Sequence, residues 1–366
     1  MRLPAPVTVA AGHVLGSVSY RIGRDGRVRR IPRIPSPFPR DAVLFPATGT
    51  WYTFRQGHLV VGRGSKPLWR SRGEIAPDHG SRGRAAPDQL GVMMASSQMV
   101  AFQHDHKLYL ASLRSPERPV ATREMPLGFT QGGLYTYRYR GRELLLRSDT
   151  GALLRTIARQ PLGSDYFVAG GGLYFIVHGV LMGAHGPRTQ QLASLTSLGM
   201  PNPWLQPVGR LLELQDNNRI VLLRPDGSEF ASTPLPRHDG QPESISSSLV
   251  VAPDASAVAF TGASGETNDP NAVQRAHGTE TIYLLRAGAN TATPVHTEQV
   301  AFKVCEREAS LQWHRSWLLY SNSEGNLTAI DTTDAHHAIK LGSLVRRLPG
   351  TRNGFSANWT GRPARL

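Results

Sequence analysis

The chain has 366 residues, 40% of them hydrophobic, with 37 glycines, 27 prolines, one cysteine and a formal charge of +14. A lone cysteine excludes an intrachain disulfide and a cysteine-built zinc site. No apolar run approaches the ~18 residues of a membrane-spanning helix, and the dense Gly and Pro favour short strands joined by turns over long helices.

The N-terminal stretch MRLPAPVTVAAGHVLG is mildly apolar, but Pro4 and Pro6 interrupt it and no convincing cleavage site follows. As written, the chain is expected to be soluble and cytoplasmic, and extracytoplasmic if its true start lies upstream. Of 41 basic residues only Lys66, Lys107, Lys303 and Lys340 are lysines. The arginines are scattered, which fits biased coding better than a nucleic-acid face. The exception is the stretch from Arg21 to Arg40, which carries Arg24, Arg27, Arg29, Arg30 and Arg33.

Eight hairpins follow one another, each an apolar strand, a tip of Gly, Asp, Asn or Pro, and a more polar returning strand. They begin near Tyr20, His58, Lys107, Glu143, Val180, Arg219, Thr281 and Asn326. Asp25-Gly26, Asp149-Thr150-Gly151 and Asp226-Gly227 read as tight turns, because Gly accepts positive φ and Asp caps its own turn. Seven further strand pairs precede the later hairpins, beginning near Ala42, Leu90, Gly128, Asp165, Trp204, Val250 and Ser310. The first hairpin lacks an inner strand, and Gly354–Gly361 (GFSANWTG) has the character to supply it.

A period of about 40 residues is the span of a four-stranded propeller blade. The expectation is an all-β single domain over residues 1–366. It is a β-propeller of eight four-stranded blades, with seven as the alternative, in which residues 1–35 and 354–366 form a composite closing blade. Stacked blades bury the faces that one sheet alone leaves wet, and joining the termini removes an open seam.

The segment VVAPDASAVAFTG from Val250, followed by TETIYLLRAG, resembles the PD40 (WD40-like) repeat of TolB-type propellers. SLQWHRSWLLYSNSEGNLTAID from Ser310 resembles the next such repeat. Ala252, Ala255 and His314-Arg315 depart from the pattern, and the likeness covers chiefly residues 248–332. It implies architecture and brings no catalytic residues with it.

Two connections are longer than a blade needs: Gly73–Asp88, and GASGETNDPNAVQRAHG from Gly262 to Gly278. Long surface loops are thermodynamically tolerated and often functional. The second concentrates Glu266, Asn268, Asp269, Asn271, Arg275 and His277, which are the candidate ligand- or partner-binding residues. No metal or cofactor is expected. His104-Asp105-His106 reads as a solvated turn, His336-His337 would face opposite ways, and Gly170-Gly171-Gly172 lacks the signature of a phosphate loop. Cys305 is expected to be a small strand residue. Tyr135, Tyr137 and Tyr139 would share one strand face against a neighbouring blade, with Arg138 and Arg140 outward. The tryptophans read as packing between blades.

The expected function is a non-catalytic binding or scaffold propeller, monomeric, with a protein or ligand partner at its loops or axis. One alternative is a hydrolase or lyase using Asp41, Asp165 or Glu308 at inner-strand starts. The other is an Arg-rich binder of nucleic acid or another polyanion, which requires Arg24, Arg27, Arg30, Arg138 and Arg140 to form one patch.

Overall fold

Hairpin tips set the local structure. In the computed structural model, Gly23, Ser148 and Arg224 each donate their amide to the carbonyl four residues on, those of Arg27, Ala152 and Ser228, at 2.8–2.9 Å. The left-handed slot in each loop is filled by Gly26, Gly151 or Gly227, with φ of 78°, 81° and 88°. Glycine takes that slot without a steric cost and lets a three-residue loop close a twisted strand pair. The structure describes residues 2–11, 19–31, 43–45, 48–55, 58–71, 93–104, 106–159, 166–238, 240–245, 247, 249–264, 276–302, 309–322, 324–334, 337–348 and 355–360.

Among the described residues each of these tips joins the outer two strands of a four-stranded antiparallel sheet; there are seven such sheets, and an eighth, built around Ala257–Ser264, has five strands. The protein is an all-β, eight-bladed β-propeller. The seven-bladed alternative falls because the C-terminal strand completes the first sheet. Phe355–Trp359 lies beside Val7–Ala11, from Val7 opposite Trp359 to Ala11 opposite Phe355. Ser19–Ile22 and Val28–Ile31 complete that sheet. The Thr360 amide donates to the Pro6 carbonyl at 2.7 Å, and the Thr8 and Thr360 hydroxyls lie 2.6 Å apart.

The chain divides into two compact units, one of residues 1–34, 211–224 and 228–366, the other of residues 35–210 and 225–227. In the second unit the sheets pack face to face. Tyr52, Leu59 and Val61 of one sheet meet Val100, Phe102 and Ala111 of the next. Ala101, Leu108 and Leu110 in turn meet Leu134. Tyr135, Tyr137, Leu144 and Leu146 then meet Leu173, Phe175 and Ala184. Each buried large apolar side chain contributes roughly 1.5–3 kcal/mol, so these junctions, not isolated sheets, carry the stability.

The first unit uses the same device. Ala259, Ile282 and Leu284 pack on Leu311, Leu318 and Tyr320, and Val7, Val9 and Ile22 pack on Leu319, Leu327 and Ala329. A short helix, Gly342–Arg346, adds Val345 to the latter core. The stretch that resembles PD40 forms a hairpin between Val250–Val251 and Ala257–Ser264, with Asp254 Oδ1 accepting from the Ser256 amide and hydroxyl. Among the described residues no helix is long and apolar enough to cross a membrane.

Candidate ligand-binding cleft

In the second unit, turns from three successive sheets enclose a cleft of about 670 Å³. Thr48 and Thr50 come from the turn ahead of Thr50–Arg55, and Arg63 from the end of His58–Arg63. Ser97 and Gln98 come from the turn ahead of Met99–His104. The tip after Lys107–Ser112 brings Arg114 and Ser115, and Arg118 opens the strand Arg118–Thr122. Asp149 and Thr150 reach in from the tip after Glu143–Ser148.

Hydrogen bonds between neighbouring sheets and within single turns hold these residues. The Trp69 indole N–H donates to the Ser112 carbonyl at 2.8 Å. Arg118 Nη2 donates to the Thr150 carbonyl at 2.7 Å, and Arg63 Nε to the Thr48 carbonyl at 3.2 Å. Ser112 Oγ accepts from the Arg114 and Ser115 amides at 3.1 Å each, a local turn that a hydroxyl supports well. Gly151 lies so close to the preceding sheet that a Cβ there would fall 2.6 Å from Val120 Cγ1.

Other arginines of this unit are spent on carboxylates. Buried Glu124, first residue of Glu124–Thr130, receives Arg147 Nε and Nη2 at 2.7 Å each, Arg138 Nη2 at 2.8 Å and Thr136 Oγ1 at 3.0 Å. Arg138 Nη1 also meets Glu143 at 2.8 Å, and Arg159 lies 3.3 Å from the same carboxylate. Burial pushes the Glu124 carboxyl up, but Arg147, Arg138 and Thr136 outweigh it and hold it below the usual carboxylate range. Of the cleft arginines, Arg63 and Arg118 have carbonyl partners instead, so they are positioned without being neutralised.

The whole chain is similar to a crystal structure of AztD from Citrobacter koseri, at 11% identity and a TM-score of 0.52, over 98% of each chain. The apo structure of the same protein matches at 11% identity and a TM-score of 0.51, over 97% of this chain and 98% of that one. That likeness shows the fold alone. Hsv2p of Kluyveromyces lactis, at 10% identity over 80% of this chain and 94% of that one, has a TM-score of 0.44 and is too distant to carry an argument. No family model matches the sequence, and no curated protein is similar to it.

Glu266, Asn268, Asp269, Asn271 and Arg275 lie outside the described residues, as do Asp41, Asp165, Glu308 and Cys305. His277 is placed only as backbone, opposite Ala301 in the extended hairpin of Ala276–Arg286 and Thr293–Phe302. Gly170 and Gly171 form the turn between Tyr166–Ala169 and Gly172–Val177. Tyr135 and Tyr137 are buried against the next sheet, but a 3-10 turn at Tyr139–Gly141 breaks the alternation and leaves Tyr139 exposed. Arg138 is not an outward cation, because Glu124 and Glu143 hold it. Trp204 is also exposed rather than packed: the buried positions of Trp204–Val208 are Leu205 and Val208.

The first unit holds a second set of polar residues that sequence reasoning passed over. Glu280 and Glu298 stand directly opposite each other on neighbouring strands. Tyr320 Oη donates to Glu280 Oε2 at 2.5 Å. Glu298 has His296 Nε2 at 3.0 Å, Asn322 Nδ2 at 3.0 Å and Thr328 Oγ1 at 3.2 Å. Burial raises the Glu298 carboxyl, and these three partners bring it below its ordinary value. On the opposite face of the same sheet, Gly262 makes room for buried Glu243, whose Oε2 would lie 2.1 Å from a Cβ there. Register sets Gly262 opposite Ile245 and Thr281, and nothing local in the sequence brings Glu243 to that glycine.

Proposed function

We propose that this protein is a non-catalytic binding propeller that holds a polar ligand in the cleft of its second unit. One observation carries the reading: the cleft's lining is rich in hydroxyls and arginines but, among the described residues, includes no His, Cys, Lys, Glu or Tyr. Its serine and threonine hydroxyls therefore have no neighbouring base that titrates near neutral pH, which nucleophilic and acid–base chemistry both require. Asp149 is the sole lining carboxylate among those residues, and it is exposed. The sequence resemblance to PD40 repeats supports the same reading, since that motif is structural.

The test is a calorimetric screen of small polar compounds against the whole chain, neutral sugars and charged metabolites together. A ligand of this cleft loses affinity about tenfold or more when Gln98→Leu and Ser115→Ala are combined, the cost of two lost hydrogen bonds, and is recovered chemically unchanged. Turnover of the bound compound, or indifference to both substitutions, overturns the reading.

A further inference from the structure

We infer that the cleft is an oxyanion site, and that its ligand is a small polar molecule carrying a phosphate or sulfate ester. The inference rests on the cleft being a binding site and adds the chemical class of what it binds. Three arginines, Arg63, Arg114 and Arg118, line one cleft against a single exposed carboxylate, Asp149. Arg63 and Arg118 each commit one N–H to a backbone carbonyl. A carbonyl fixes a guanidinium in place but leaves its charge whole and its other donors available. Arg114 lines the same cleft from a turn that the Ser112 and Ser115 hydroxyls brace at 2.8 Å from each other. In the same unit, Arg138 and Arg147 converge on Glu124 instead, and their charge is consumed there.

Arginine forks match planar or tetrahedral oxyanions with paired hydrogen bonds. One carboxylate fills a single fork, whereas a phosphate or sulfate ester has three terminal oxygens for three guanidinium groups. The remaining lining mixes Gln98, Ser97 and Thr48 with apolar Leu68, Met99 and Leu113, which suits a body with both hydrogen-bonding groups and apolar faces, such as a sugar ring. Turns from neighbouring sheets border a volume of about 670 Å³, which lies in the range of small-molecule sites.

The experiment is isothermal titration of the whole chain with glucose, glucose 6-phosphate, glucose 6-sulfate, inorganic phosphate, inorganic sulfate and a short single-stranded DNA. The esters are expected to bind at least tenfold more tightly than glucose, with affinity falling as salt is raised. Comparing 6-phosphate with 6-sulfate, and phosphate with sulfate, decides which ester the site prefers. Arg114→Ala and Arg63→Gln should each weaken the esters about tenfold, in line with one lost charge-assisted hydrogen bond. Arg155→Ala, on an exposed strand position outside the cleft, should change nothing. Thermal midpoints of the variants show that they are folded.

Glucose binding as tightly as its esters overturns the oxyanion inference and leaves the binding reading standing. Ester binding that ignores Arg63 and Arg114 places the anion elsewhere and overturns the inference. DNA bound more tightly than the esters, and lost in Arg114→Ala, replaces the small ester with a polymer. Failure of every anion to bind at millimolar concentration sinks the inference, while the neutral compounds of the wider screen still decide the binding reading.

Discussion

The indole N–H of Trp359 donates to the backbone carbonyl of Gln312 at 3.2 Å, tying the last strand of the chain to the sheet beside it. Trp313 does the same one sheet earlier, to the Val250 carbonyl at 3.0 Å. In the second unit Trp69 reaches the Ser112 carbonyl. An indole spans the gap between two sheets, fills it with apolar area and donates to a backbone carbonyl of the neighbouring sheet. Trp359→Phe should therefore cost about 1 kcal/mol, the net worth of one hydrogen bond. Trp359→Ala should cost about 3 kcal/mol, because the packing goes too. Urea unfolding of the three proteins checks this, and coincident midpoints would remove the strut from the account of how the C-terminal strand is held.

Acid should release the Glu124 network. The folded state holds this carboxyl below its usual range, so the unfolded chain binds the proton more readily. Its contribution is complete above the ordinary carboxylate pKa and is lost as pH falls through the depressed folded value. Glu124→Gln leaves buried Arg147 without its counter-charge and should cost about 3–5 kcal/mol at neutral pH. The gap to the parent should narrow in acid, where the parent loses the same ion pairs. Thermal midpoints recorded from neutral pH into acid provide the measurement; a gap independent of pH would mean that Glu124 acts by shape alone.

Much of this architecture is legible before any coordinates. Gly26, Gly151 and Gly227 each mark a hairpin because a positive φ has a local chemical signature. The pairing of Phe355–Trp359 with Val7–Ala11 follows from counting strands, since one hairpin had no inner partner. The cleft is not legible in the same way. Arg138 and Arg114 look alike in the sequence, each an arginine near a turn. What separates them is whether a carboxylate from another strand reaches the guanidinium, and that depends on register across sheets. The hairpin from Lys107 is plain in sequence, yet nothing local says that Ser112, Arg114 and Arg118 meet turns more than thirty residues away. Trp204 and Tyr139 depart from expectation for a related reason: Trp204 opens its strand on the face opposite buried Leu205, and a single 3-10 turn leaves Tyr139 exposed.

Glu243 should respond to pH in the opposite sense from Glu124. Burial pushes its carboxyl up, a shift that Tyr283 and His238 only partly offset, and Oε2 has no hydrogen-bond partner. The folded state thus binds this proton more tightly than the unfolded chain does. The stability it supplies is complete below the ordinary carboxylate pKa and declines as pH rises through the raised folded value. Glu243→Gln keeps an acceptor for Tyr283 and abolishes the charge. The variant should melt higher than the parent at neutral pH and show little difference in acid. A variant less stable at neutral pH would mean that the ionised carboxylate is needed where it lies.

Two turn substitutions should move stability in opposite directions for one reason. Ala255 occupies a left-handed position, φ 55°, in the turn after Pro253-Asp254. A residue with a Cβ is strained there, and glycine is not. Relief of that strain, roughly 1–2 kcal/mol, exceeds the roughly 0.4–1 kcal/mol that glycine's extra freedom in the unfolded chain costs. Ala255→Gly should raise stability by about 0.5–1 kcal/mol. Gly151 occupies the same kind of slot at φ 81°, and its Cβ position is already taken by Val120. Gly151→Ala should therefore cost more than the ~1 kcal/mol of left-handed strain alone, because the tip must lift off the neighbouring strand. Lifting it also displaces the Thr150 carbonyl that holds Arg118, so any ligand bound in the cleft should weaken alongside the fold. Denaturation curves and ligand titrations on the two variants read both effects, and a stabilising Gly151→Ala would contradict the geometry of the turn.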